Sequence, residues 1–155
     1  MIAIYVLLLN GLSDDPIFLI TGVLLLVIAE IDRREFRIPD IFTKSALFAL
    51  IIFFRTDASL LILTAGWIAS MYLITYFIPH AFGRGDVKLI AVLILENGYF
   101  QSASHEVFLY SLISCASLLA LPGVVAQRIK GRFSPYPFAP SIAAAWLVIS
   151  VLGGA

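Results

Sequence analysis

Charge is scarce in this 155-residue sequence, and so are cysteine and histidine. Charged residues make up 13% of the chain, where ordinary globular domains carry about 25%. A 17.0 kDa soluble fold has too small an interior to hide the apolar remainder from water. The ten Lys and Arg are matched by ten Asp and Glu, and this zero balance excludes a nucleic-acid binder, which needs a basic excess to neutralise phosphates. Cys115 is the only cysteine, so neither an intramolecular disulfide nor a cysteine-based zinc site can form. What is abundant is apolar surface, at 61% of residues. One domain spanning residues 1–155, embedded in a lipid bilayer, is the class these numbers imply.

An uninterrupted helical span takes about 20 apolar residues. The first apolar run, residues 17–31, follows Asp14-Asp15-Pro16, a good helix start, and ends in charge at Asp32-Arg33-Arg34-Glu35. Further runs cover residues 41–54, 59–78, 87–95 with a possible extension through Glu96 and Asn97 to 100, 107–126 with Pro122 inside, and 138–152. They predict an all-α bundle of about six transmembrane helices. Several runs are shorter than ideal, so their charged ends must reach the boundary or the lipid must thin locally. Residues 1–9 are apolar but too short to span. They carry neither the basic start nor the small-residue cleavage site of a secretory signal, and are expected to lie at the outer surface or to extend the first helix, the alternative being a processed or misread start.

Basic residues test the topology independently, because Lys and Arg collect in cytoplasmic loops. Arg33, Arg34, Arg37 and Lys44 surround the first connection, Arg84 and Lys88 the third, and Arg128, Lys130 and Arg132 the fifth. Only Arg55 falls on the other side. Nine of ten bases on one side predict that both termini are outside. His80 and His105 then lie on opposite sides, which leaves them no shared metal.

Two acids stand at helix ends on the basic side. Asp32 directly follows the first run, and Asp86 opens the fourth within Gly83-Arg84-Gly85-Asp86-Val87-Lys88-Leu89. An ionised acid at the bilayer centre costs about 2.5–3.5 kcal/mol on insertion scales, so membrane acids face a bundle interior or a wet cavity. Two carboxylates brought close cannot both ionise cheaply; one then holds a proton while the other is ionised, which is acid–base machinery needing no metal or other cofactor. Gly83 and Gly85 permit a tight turn and close approach of another backbone. The plainer reading makes Asp86 a helix cap and pairs Asp32 with Arg33 or Arg37 in a solvated loop. Two other function classes are also open: a small proton-coupled transporter in which the acids relay protons, and a non-enzymatic assembly subunit.

The context of the two aspartates resembles the type IV prepilin peptidases, which are GxGD-type membrane enzymes. Asp32-Arg33-Arg34 with Arg37-Ile38-Pro39-Asp40 is similar to their first motif, an Asp, basic residues and Ile-Pro-Asn; Gly83 to Leu89 is similar to their Gly-x-Gly-Asp-x-Lys-Leu. Tyr136-Pro137-Phe138-Ala139-Pro140 resembles their C-terminal Pro-Phe-x-Pro. The resemblance implies an aspartic endopeptidase of the inner membrane that removes the basic leader from prepilins or pseudopilins on the cytoplasmic side, cutting after a glycine. Asp32 and Asp86 would be the catalytic pair, and Gly83, Gly85, Lys88, Pro39, Pro137 and Pro140 would shape the site or position substrate. Asp40 departs from the usual Asn and adds a third acid. The sequence shows no cysteine-paired cytoplasmic domain of the kind associated with N-methylation, so the resemblance implies peptidase activity alone, as in the small peptidases of tight-adherence (Flp) pilus systems.

Overall fold

The structure is a computed structural model, and it describes residues 16–53, 58–77, 83–100, 104–130 and 136–153. Among these residues there are six α-helices and no strands: α1 Pro16–Glu35, α2 Asp40–Phe53, α3 Ala58–Phe77, α4 Arg84–Phe100, α5 His105–Ile129 and α6 Ala139–Gly153. The six apolar runs are all present as helices. The segment 1–9, His80 and Arg55 lie outside the described residues.

Two helices, α3 over Ala58–Phe77 and α5 over Val107–Ile129, are long and apolar enough to cross a membrane. Only 11% of the most apolar window of α3 and 22% of that of α5 is covered by protein. Ile62, Leu73, Tyr76 and Phe77 of α3 are all exposed. A core helix of a soluble protein would be mostly covered. The other helices fall short of a full span for visible reasons: α1 carries Glu30, Asp32, Arg33, Arg34 and Glu35 in its last two turns, and α2, α4 and α6 are 14, 17 and 15 residues long.

The chain divides into two compact units, residues 1–37 with 109–155, and residues 38–108. In the first, α1 packs against α6. Their contact is anchored by Phe18 and Trp146, whose rings stack with centroids 4.7 Å apart, beside buried Leu25, Ile28, Ile142 and Ala145. In the second, α2 and α3 both pack against α4. This accounts for the pattern of α4: Leu89 to Leu95 is buried without a break, as befits a helix apolar all round. The helix continues through Glu96 and Asn97, both also buried, to Phe100.

The boundary between the units coincides with a backbone feature. α1 ends as Phe36 donates its N–H to the Asp32 carbonyl at 2.9 Å and adopts a left-handed conformation, with φ of 53°. Such a residue commonly terminates a helix, but as a rule it is glycine, and a side chain there costs about 1–2 kcal/mol.

Candidate active site

The second unit contains most of the residues that the sequence motifs single out. Gly83 caps α4, its carbonyl accepting the Val87 N–H at 3.2 Å. The helix therefore starts at Arg84, earlier than the apolar run that begins at Val87, and Asp86 is its third residue. A side chain at that position of the first turn can fold back toward the cap. Asp86 does fold back: a Cβ built on Gly83 would lie 2.6 Å from Asp86 Oδ2. Glycine at 83 thus gives the half-buried carboxylate its place.

Gly85 serves a different contact. A Cβ on it would lie 2.7 Å from Cβ of Ile38, a buried and inflexible atom. Only a glycine lets α4 come so near to Ile38-Pro39-Asp40. This approach joins the second half of the first motif to the second motif. Lys88, two residues beyond Asp86, donates to Asp40 Oδ1, and Lys44 lies 2.9 Å from Oδ2 of the same carboxylate. Hydrogen bonds from Lys88 and then from Lys44 hold the Asp40 carboxyl down at about 2. Asp40 is therefore an ionised, half-exposed partner of two lysines.

Asp32 belongs to the first unit, where its surroundings are of another kind. It is only 5% exposed, although it is the first residue past an apolar run. Its Oδ2 accepts the backbone N–H of Ala139 at 3.1 Å, from a residue 107 positions away. Burial pushes the Asp32 carboxyl above its ordinary range, while the amides of Ala139 and Phe138 pull against that shift. Arg33 and Arg34 turn away from Asp32 to Glu30, at 2.6–2.9 Å. The solvated pairing of Asp32 with Arg33 is not what the molecule adopts.

The donor to Asp32 comes from the third motif. Phe138 caps α6, its carbonyl accepting from Ser141 at 3.0 Å and from Ile142 at 3.1 Å. The first turn of a helix leaves its amides without intrahelical acceptors. Of these, the Ala139 amide goes to Asp32, Pro140 has none to place, and Pro137 fixes the backbone that leads in. Pro137 and Pro140 thus shape the helix start that holds Asp32. Sequence reading placed these residues in one family pattern but did not connect them to Asp32; the signal was the helix start itself, whose free amides attract an acid.

Among the described residues, no three His, Cys, Asp or Glu side chains gather as a metal ion would require. No curated protein and no solved structure matches the chain. A family model does match. It covers residues 19–125, which include both aspartate motifs, and stops short of the Tyr136–Pro140 segment that reaches Asp32. That match takes in well over half of the sequence, and the chain belongs to the type IV leader peptidase family.

Proposed function

We propose that this protein is a membrane-embedded aspartic endopeptidase that removes the basic leader of a prepilin or pseudopilin of the Flp type, with Asp32 and Asp86 as its acid–base pair. The observation that carries the reading is the family match over residues 19–125, which spans the two motifs holding those aspartates. In a pair of this kind the ionised carboxylate takes a proton from water as the oxygen attacks the scissile carbonyl carbon. The protonated partner donates to the carbonyl oxygen. Collapse of the tetrahedral intermediate breaks the C–N bond, and the departing amine takes up the proton. Gly83 supports this role for Asp86 by leaving room for its carboxylate, and the α6 amides support it for Asp32 by fixing the carboxylate in place.

The reading places a single peptidase domain in the inner membrane as about six spans with both termini outside. Nine of ten bases cluster at the loops on the side of the two aspartates, and leaders that stay in the cytoplasm would meet them there. Pro39 and Lys88 adjoin Asp40 and would border the path of the leader.

Co-expression with a Flp-type prepilin tests the proposal on a gel. Wild-type enzyme shortens the prepilin; Asp32→Asn and Asp86→Asn reach the membrane at normal levels and leave it uncut. Processing at the wild-type rate by either variant would overturn the aspartic mechanism. Cleavage is expected to persist in the presence of a chelator, and its loss would also count against the pair.

A further inference from the structure

α5 runs on through Pro122, and the next residue, Gly123, lies where the Tyr136 ring packs. A Cβ on Gly123 would fall 2.5 Å from Cε2 and Oη of that ring and 2.7 Å from Cζ. Non-bonded carbons do not come so close, since favourable contact begins at about 3.5 Å. Any larger residue at 123 must therefore displace the far end of the Tyr136 ring. Tyr136 is followed directly by Pro137, whose ring stiffens the chain, and then by Phe138 and Ala139, whose amides are directed at Asp32. Gly123, Tyr136, the 137–139 strap and Asp32 thus form one continuous line of contacts inside the first unit.

The geometry points to Gly123 as a positioning residue for leader cleavage: by leaving room for the Tyr136 ring, it seats the strap whose amide holds the Asp32 carboxylate. This inference rests on Asp32 being catalytic. Gly123 touches neither substrate nor the reacting atoms and acts only through Tyr136 and the strap. In the proposed pair Asp86 titrates together with Asp32, so the limbs of the pH profile belong to the pair. α6, which packs on α1, has no titratable side chain, and Glu30, Arg33 and Arg34 on α1 are bound to one another.

The test compares Gly123→Leu, Tyr136→Ala, the double variant and Asp32→Asn in purified full-length enzyme with a prepilin substrate. Gly123→Leu and Tyr136→Ala should each lower kcat about ten- to a hundred-fold, as small misplacements of a catalytic group do. KM should stay unchanged. The pH profile should move to higher pH, because losing an amide donor stops favouring the Asp32 carboxylate. The double variant should be no slower than Tyr136→Ala, since both changes break one line of contacts. Wild-type kcat and pH profile in both single variants, or losses that multiply in the double, would overturn the positioning role while an inactive Asp32→Asn left the catalytic reading standing. An Asp32→Asn enzyme cleaving at the wild-type rate would instead remove the catalytic reading and the positioning with it. If Gly123→Leu fails to accumulate, Tyr136→Ala, which only deletes atoms, decides the matter by the same readouts.

Discussion

The two units of the molecule each hold one of the two motif aspartates against the first turn of a helix, and they do so by opposite means. Asp86 is placed by its immediate neighbours: a glycine cap three residues before it, a helix that begins there, and a second glycine that brings Ile38 close. Asp32 is placed by the far end of the chain, through amides that open α6. The first arrangement is local and half-exposed, the second long-range and buried. A carboxylate beside free amides and a carboxylate in a glycine turn can thus belong to one motif set and still depend on different parts of the sequence.

The glycines of the second unit should separate packing from placement. The largest effect on stability is expected from Gly85→Leu, whose side chain meets the fixed Cβ of Ile38; overpacking of this kind costs about 1–3 kcal/mol. Thermal unfolding in detergent should show a clear drop in Tm, and an unchanged Tm would mean that Ile38 can retreat freely. Gly83→Ala should act next most strongly and on a different quantity. Its methyl group displaces the Asp86 carboxylate, so the cleavage rate should fall about ten- to a hundred-fold. Its Tm should change less than that of Gly85→Leu.

The acids give the smaller tests. The Asp32 carboxyl is raised by burial, so the folded protein favours its neutral form; the contribution is intact below the ordinary Asp range and is lost as pH rises through the raised value. Stability of the wild type should therefore decline over that interval relative to Asp32→Asn, and parallel curves would contradict the burial assigned to it. Asp40 behaves oppositely. Held at about 2 by Lys88 and Lys44, it stabilises above the ordinary Asp range and loses that contribution as pH falls toward 2. Asp40 is half-exposed, and exposed pairs are weak and screened by salt. Asp40→Asn should leave Tm at neutral pH almost unchanged, with a small difference that vanishes in high salt.

The legible part of the fold follows the same division. Apolar runs and their punctuation marked all six helices: five of the runs are longer than a core strand, and the short run 87–95 becomes a helix through its extension past Glu96 and Asn97. The Gly-Arg-Gly-Asp turn was legible as well, since capping and close approach are properties of neighbouring residues. The hold on Asp32 was not. A hydrogen bond across 107 positions leaves no periodicity to read, and Ala139 looks like any other small residue. Tyr136 lying on Gly123 is equally silent, for glycine within an apolar helix has several uses. The Lys88–Asp40 pair was missed because basic residues near a membrane already had an explanation as topological anchors. The burial of Glu96 and Asn97 depends on α2 and α3 packing around α4, which is a tertiary fact.

The central claim is that Asp32 and Asp86 work as one acid–base unit although different parts of the chain hold them. Residual rates of prepilin cleavage by Asp32→Asn, Asp86→Asn and the double variant, measured side by side at equal membrane levels, test it most directly. Groups that act as a unit are strongly non-additive. Each single variant should lose about 10²–10⁴-fold, as the removal of general acid–base catalysis does, and the double should be no slower than either. A single variant that retains the wild-type rate, or single losses that multiply in the double, would contradict the account.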